Sequence, residues 1–388
     1  MYRRLLFVVN DAGFFLSHRL NIARAALEDG WEVHVATADG PAVTRVQAEG
    51  FWHHTVALSR SGANPMAELR TLWALFRLFR RLRPTLVHAV TIKPVVYSGL
   101  LAPWAGVPAL VQAISGLGHV FIAEGRLAAL RRKMIAAAYR LAFRHPNSRV
   151  IFQNPDDLAA LGQAIRDGQA VLIPGAGVDP EKFAPRPEPP GEPLVVLASR
   201  MLWAKGVGEF VEAARRLQER GVSARFALVG DSDPGNPAAV PDDRLRAWAA
   251  SGVVEWWGRR EDMPSVFAKA HVVCLPSYRE GLPKVLLEAA SCGRAIIATD
   301  VPGCREIVRD GHNGLLVPPR DPEALAGAIE RALKDRDLRE RMGARGREMV
   351  LSGFTSAQVV EKTLAVYCEL LNRAGVTAEP GFEPTADE

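Results

Sequence analysis

Two trains of short apolar runs lie either side of one proline-rich stretch, and amphipathic segments separate the runs within each train. This alternation constrains the fold more than any single residue does. The first train reads LLFVV (5–9), WEVHVAT (31–37), PTLVHAV (84–90), ALVQAIS (109–115), RVIFQN (149–154) and AVLIPGAG (170–177). The second reads LVVLAS (194–199), ARFALVGD (224–231), VVEWWG (253–258), VVCLPS (272–277) and AIIATD (295–300). Segments such as LNIARAALEDG (20–30) and GEFVEAARRLQERG (208–221) carry helical periodicity between them. Near-continuous apolar strands alternating with helices imply parallel sheets covered on both faces. The expected class is therefore α/β, with two doubly wound Rossmann-like domains.

The stretch between the trains, PRPEPPGEP (185–193), holds five prolines and cannot be the interior of a helix or strand. It reads as the linker into the second domain. The expected domains are 1–180 for acceptor binding and 181–355 for donor binding. A helix over 356–375 is expected to pack back towards the first domain. An acidic tail, 376–388, is expected to be disordered. Ligands of such domains bind beyond the carboxyl ends of the strands, in a cleft between the two.

Of the 388 residues, 48% are hydrophobic and 23% charged, which places the chain among folded globular proteins. The opening apolar run is too short for a secretory signal, because Asn10 and Asp11 follow at once. The four cysteines show neither Cys-x-x-Cys nor zinc spacing and read as reduced thiols of a cytoplasmic protein. Between Lys93 and Glu124 there is no charged residue, yet prolines and glycines break this stretch. A spanning helix needs about 20 continuous apolar residues, so no transmembrane segment is expected. Residues 1–175 hold 20 Lys+Arg against 11 Asp+Glu, while the remainder is acidic. Either the first domain meets something anionic or its basic surface is merely solvated.

Two stretches of the second domain suggest chemistry. In RMLWAKGVGEF (200–210), Arg200 and Lys205 flank a strand-to-helix loop containing Gly206. Two cations at a helix start suit a diphosphate. In YREGLPKVLLEAASCG (278–293), Glu280 precedes a helix and Glu288 lies about two turns into it. A carboxylate can accept two hydrogen bonds from a vicinal diol, as in ribose or a sugar ring. Glu288 could equally pair with Lys284, four residues back.

Glu280 followed after seven residues by Glu288 resembles the E-x7-E signature of glycosyltransferase family 4, retaining enzymes of the GT-B fold. LASRMLWAKGVGEF (197–210) and SYREGLPKVLLEAASCGRAIIATDVPGCREIV (277–308) resemble that family in order and spacing. SRSGANP (59–65), ISGLG (114–118) and LVGDSDPGNP (228–237) are similar to its PglA-type subgroup. That subgroup transfers N-acetylgalactosamine to undecaprenyl-diphosphate-linked sugars.

The resemblance implies two Rossmann-like domains facing across a cleft. It implies that Arg200 and Lys205 hold the donor diphosphate and stabilise it as leaving group. Glu288 would bind the ribose hydroxyls. Glu280 would bind the donor sugar, near the backbone of Gly281, Leu282 and Lys284. The base would lie near Gly258 and Arg259. Gly13 takes the place of the family's Gly-rich first loop, which commonly has two glycines. His18 follows it, and His119 would contact the donor sugar; His88 reads as buried structure. The implied donor is a UDP-sugar, GalNAc favoured, and the acceptor a polyprenyl-diphosphate-linked saccharide. No cofactor, metal or nucleic acid is expected. Asp231 and Asp233 have the D-x-D spacing of metal-binding transferases of another fold, and here they read as loop-shaping residues. The dinucleotide fingerprint G-x-G-x-x-G is missing from the first turn, against a dehydrogenase.

Helical segments 66–84 and 125–146 mix aromatics with Arg77, Arg80, Arg81, Arg131, Arg132 and Lys133. They read as contacts to an anionic membrane or to the acceptor, placing the protein peripherally on the cytoplasmic face of the inner membrane. The rival readings are a GT-B nucleotide-sugar epimerase or hydrolase, and a nucleotide-sugar-binding protein without catalysis.

Overall fold

The computed structural model describes residues 3–58, 64–117, 125–233 and 236–376. It divides into two compact units, one of residues 1–176 with 358–388 and one of residues 177–357.

The first unit is built on a parallel sheet of seven strands among the described residues. They are β1 (Arg4–Val8), β2 (Glu32–Thr37), β3 (Trp52–Thr55), β4 (Leu86–Val90), β5 (Ala109–Ile114), β6 (Ser148–Phe152) and β7 (Ala170–Leu172). Their order is β3-β2-β1-β4-β5-β6-β7, so the winding reverses between β1 and β4. Alternate residues of β1 supply the two faces. Leu5 and Phe7 enter one core, and Leu6 and Val8 enter another.

Helices Pro65–Leu82, Ile92–Ala105 and Arg126–Ala142 pack side by side on the Leu6 face. The C-terminal helix Ser356–Arg373 lies on the other face, burying Val359, Val366, Tyr367 and Leu370 against Leu5 and Phe7. Beyond its first residue, whose N–H donates to the Val178 carbonyl, it makes polar contacts within the first unit. The Tyr367 hydroxyl lies 2.5 Å from His88 Nδ1, Asn147 donates to the Leu370 carbonyl at 2.8 Å, and Arg149 pairs with Glu369. His88 is thus buried structure.

The second unit holds a parallel sheet of six strands among the described residues, in the order β10-β9-β8-β11-β12-β13. They are β8 (Leu194–Ala198), β9 (Arg225–Val229), β10 (Glu255–Gly258), β11 (Val272–Leu275), β12 (Ala295–Thr299) and β13 (Gly314–Val317). The winding reverses between β8 and β11, which makes their carboxyl ends the crevice where doubly wound sheets take ligands.

Three sequence expectations change. The proline-rich stretch is not a free linker. Its carbonyls at Arg186, Pro187 and Pro189 accept from Arg294 and His271, and Glu188 pairs with buried Arg339, so it is fastened to the second unit. The segment DAGFFLSHR (11–19), where the resemblance puts a Gly-rich first loop at Gly13, is not a loop. Asp11 caps a helix Ala12–His18 by accepting from the Phe14 N–H at 2.8 Å. Gly13 is therefore a helical residue, and His18 ends that helix, its ring stacked 4.1 Å from Phe14. The helix carrying Glu288 begins at Lys284, after Pro283, so Glu288 lies about one turn in, not two. The expected disordered tail falls, from residue 377, outside the described residues.

Candidate active site

The candidate site gathers at the carboxyl ends of β8, β9, β10 and β11. Each strand ends in the loop that carries a named side chain: Arg200 after β8, Asp231 after β9, Arg259 after β10 and Glu280 after β11. A cavity of about 450 Å³ opens there, lined by Arg200, Gly230, Asp231, Asp233, Arg259, Val285 and Glu288 among others. The Arg200 loop and the second glutamate, 88 positions apart in sequence, therefore share one cavity.

The loop after β8 makes a single 3-10 turn, Trp203–Lys205, and enters helix Val207–Glu219 through Gly206. Gly206 has φ of +73°, and a Cβ there would run into the Pro276 carbonyl. Only glycine lets this loop lie so close to the strand end of β11. The closeness brings Lys205 Nζ within 2.5 Å of Glu280 Oε1. Ser277 donates to the same oxygen at 2.6 Å. The expected phosphate-binding lysine and sugar-binding glutamate are thus partners. Neither lines the 450 Å³ cavity. Arg200 is likewise paired, with Asp233 at 2.8 Å, although its side chain remains more than half exposed.

Glu288 is nearly enclosed, and Lys284 Nζ lies 3.5 Å from its Oε1. Burial pushes its carboxyl above the usual range, while the charges of Lys284 and Lys182 oppose that push. The Lys284 pairing and the cavity-facing position coexist, since a contact of 3.5 Å leaves the carboxylate with hydrogen-bonding capacity to spare. Leu282 is buried, and Gly281 lies in the bend before the helix.

The Asp231 carboxylate accepts the Arg259 backbone N–H at 2.8 Å, pinning the β10 loop over the cavity, where Gly258 takes φ of +62°. Asp233 accepts from Arg200 and from Asn236. Both aspartates therefore hold loop geometry. No group of three or more His, Cys, Asp or Glu side chains suited to a metal ion occurs among the described residues.

In the first unit, the sequence reading missed a polar rim. Asn10 Oδ1, Thr91 Oγ1 and Ser115 Oγ, just beyond the carboxyl ends of β1, β4 and β5, are buried atoms without partners among the described residues. Thr91 also holds φ of +75°, a costly conformation for a β-branched residue. The available signal was position, since each is the first polar residue after an apolar strand. His119 lies outside the described residues.

The basic segments form part of a wider surface. The outward stripe of helix Pro65–Leu82 runs Met66, Leu69, Trp73, Arg77, Arg80 and Arg81. The stripe of Arg126–Ala142 includes Leu130, Lys133, Met134, Arg140 and Leu141; Arg131 and Arg132 belong to the same helix. Between them, Trp104 is 80% exposed. Eight of the thirteen exposed large apolar residues among those described lie on these three adjacent helices. No described helix is long and apolar enough to cross a membrane.

Comparison with known proteins agrees with this architecture. Residues 4–154 match the family "Glycosyl transferase 4-like" and residues 192–335 match "Glycosyl transferases group 1". One relative is the N,N'-diacetylbacillosaminyl-diphospho-undecaprenol alpha-1,3-N-acetylgalactosaminyltransferase of Campylobacter jejuni. It is 27% identical over 85% of this chain and 90% of that protein. Another is the Escherichia coli UDP-Gal:alpha-D-GlcNAc-diphosphoundecaprenol alpha-1,3-galactosyltransferase, 24% identical over 78% of this chain and 80% of that protein. Among solved structures, Anabaena HepE in complex with UDP and glucose superposes with a TM-score of 0.76 at 19% identity, covering 95% of this chain and all of that one. Two family matches between them take in most of the chain, and each falls on one parallel-sheet unit. The chain belongs to the glycosyltransferases of family 4, with the GT-B fold.

Proposed function

We propose that the protein transfers a sugar, a HexNAc and by preference GalNAc, from a UDP-linked donor to a polyprenyl-diphosphate-linked saccharide, with retention of configuration. The observation that carries this is the shared cavity of Arg200, Arg259 and Glu288 at the switch point of the second sheet, beside the Lys205–Glu280 pair. The relatives named above act on undecaprenyl-diphosphate-linked sugars, which favours that acceptor class.

In this reading Glu288 takes the ribose hydroxyls and the Arg259 loop borders the base. The diphosphate draws Arg200 from Asp233 and Lys205 from Glu280. Glu280 then turns to the donor sugar. Arg200 and Lys205 neutralise charge growing on the departing UDP, an electrostatic contribution fixed in place before reaction. The departing phosphate assists deprotonation of the acceptor hydroxyl in a front-face displacement. No metal is assigned, because both aspartates of the D-x-D spacing are committed to Arg200 and the Arg259 backbone.

UDP release from UDP-GalNAc, measured with and without a polyprenyl-diphosphate-linked sugar, tests the activity. Release should require the acceptor, and EDTA should leave the initial rate largely intact. Equal release without acceptor would favour a hydrolase. A rate lost to EDTA and restored by Mn²⁺ would overturn the roles given to Asp231 and Asp233.

The three-helix surface of the first unit is assigned to the cytoplasmic membrane face, where the acceptor resides. Exposed tryptophans suit the interfacial layer, and each arginine near an anionic surface contributes about 1 kcal/mol. Vesicle sedimentation should fall for an Arg77→Gln/Arg80→Gln/Arg81→Gln variant and weaken with salt. Equal sedimentation of variant and wild type would leave these helices as solvated surface.

A further inference from the structure

At the free edge of the first sheet, β3 and the second half of helix Pro65–Leu82 enclose a groove of about 780 Å³. His53, His54, Trp73, Arg77, Arg80 and Arg81 line it. None of the three arginines has a carboxylate partner among the described residues, although Arg77 lies over the Trp73 ring. Three unneutralised guanidiniums around a concavity attract a phosphate.

Behind the arginines runs a polar chain. Arg4 donates to Glu32 at 2.8 Å, Glu32 lies 3.0 Å from His34 Nε2, and His34 Nδ1 lies 3.0 Å from His54 Nε2. The Glu32 carboxylate can only accept, so His34 carries its proton on Nε2. Neutral His34 then accepts at Nδ1, and His54 must donate from Nε2. His54 Nδ1 is left without a proton and gains one only by becoming imidazolium.

We propose that this groove binds the phosphate of an anionic bilayer lipid, and that His54 takes up a proton as it fills. The proposal rests on the membrane-facing reading of the first unit and gives that contact a defined pocket.

Position favours a bilayer lipid over the acceptor's diphosphate. Arg4, at the start of β1, donates to the Leu82 carbonyl, and Glu68 pairs with Lys93, just past the carboxyl end of β4. The helix therefore runs from the ligand-binding rim of the sheet to its far end. Arg77 lies about 18 Å along it from Pro65. His54 itself is level with Val8, the last residue of β1, but the groove lies at the sheet's free edge, two strands from the β1–β4 switch point, and its arginines continue the exposed stripe of Met66, Leu69 and Trp73.

The groups facing His54 are His34 and, through it, Glu32 on β2, His53 on its own strand, and Arg81 on the helix. Burial first, then His34, Arg81 and His53, pull its pKa down to about 4 in the free protein. A bound phosphate adds the missing negative charge and raises that value. Affinity then rises as pH falls through the bound-state pKa and levels off below about 4.

The test titrates the full chain with monomeric dihexanoyl phosphatidylglycerol, with the phosphatidylcholine analogue as control, following histidine ring signals and heat. Phosphatidylglycerol should bind saturably, more tightly at pH ~5.5 than at pH ~7.5, around the ordinary histidine range. Arg80→Gln or Arg81→Gln should each weaken it about tenfold. Arg70→Gln, the same charge change outside the groove, should not. His54→Gln should lose the strengthening between pH ~7.5 and pH ~5.5, whatever its affinity at pH ~7.5. Equal effects of Arg70→Gln and Arg81→Gln, or no saturable binding while vesicle sedimentation stays charge-dependent, would overturn the groove and leave the membrane reading standing. Tighter binding of inorganic diphosphate than of the lipid would overturn the choice of occupant. A pH response unchanged in His54→Gln would overturn the proton uptake.

Discussion

Lys205→Ala is expected to lower kcat by about two to three decades, the size of effect seen when one donor to a developing oxyanion is removed. The reason is local. Gly206 lets the β8 loop approach Pro276 so closely that Lys205 sits on Glu280, on the same loop as the cavity-lining Arg200. In the proposed reaction, removing the ammonium would take away a charge from the leaving diphosphate and leave Glu280 facing it, with the Ser277 hydrogen bond remaining. The loss should fall on kcat at saturating donor more than on KM, because the phosphate gains charge in the transition state. Steady-state rates with varied donor read this directly. Near-wild-type turnover would remove Lys205 from the leaving-group role.

Arg339→Ala is expected to destabilise the second unit by about 3–5 kcal/mol. Both Arg339 and Glu188 are almost enclosed, with side-chain exposures of 6% and 11%, and join through two bonds of 2.8 Å. The same guanidinium donates to the carbonyls of Ala332 and Leu333. Alanine leaves a buried carboxylate and two carbonyls without partners, and it removes one fastening of the proline-rich stretch, which Arg294 and His271 still hold. Burial alone would raise the Glu188 pKa, but the Arg339 hydrogen bonds and charge bring it below the ordinary value. A depressed folded-state pKa stabilises above the unfolded value, and that contribution is lost as pH falls through the folded one. The variant should therefore show a flatter acid limb as well as a lower midpoint in urea. A midpoint within error of wild type would show that the stretch is not held by this pair.

Much of the candidate site was legible in the sequence, because its residues sit where strand ends are announced by composition. Arg200 follows LVVLAS, and Glu280 follows VVCLPS with a turn between. What the sequence concealed has physical causes. β3 reads WHHT, with its outer residues exposed, so an edge strand held by histidine contacts lacked the apolar pattern of its neighbours. β13 is four residues long. Helix Ala12–His18 was hidden by Gly13, although Asp11 is a capping residue at the right place to announce it. The partnering of Lys205 with Glu280 depends on where two loops 75 positions apart come to rest. The edge groove arises the same way, from a strand and the far half of the helix that follows it.

The central claim is that the second unit's cavity holds a nucleoside diphosphate with Glu288 on the ribose, and a binding cycle tests it most directly. UDP and 2′,3′-dideoxy-UDP are titrated into wild type and into Glu288→Gln by calorimetry. Wild type should prefer UDP by about tenfold or more, the worth of hydrogen bonds to a charged acceptor, and the preference should largely collapse in the variant. The same ribose preference in both proteins would place Glu288 away from the nucleotide and contradict the account.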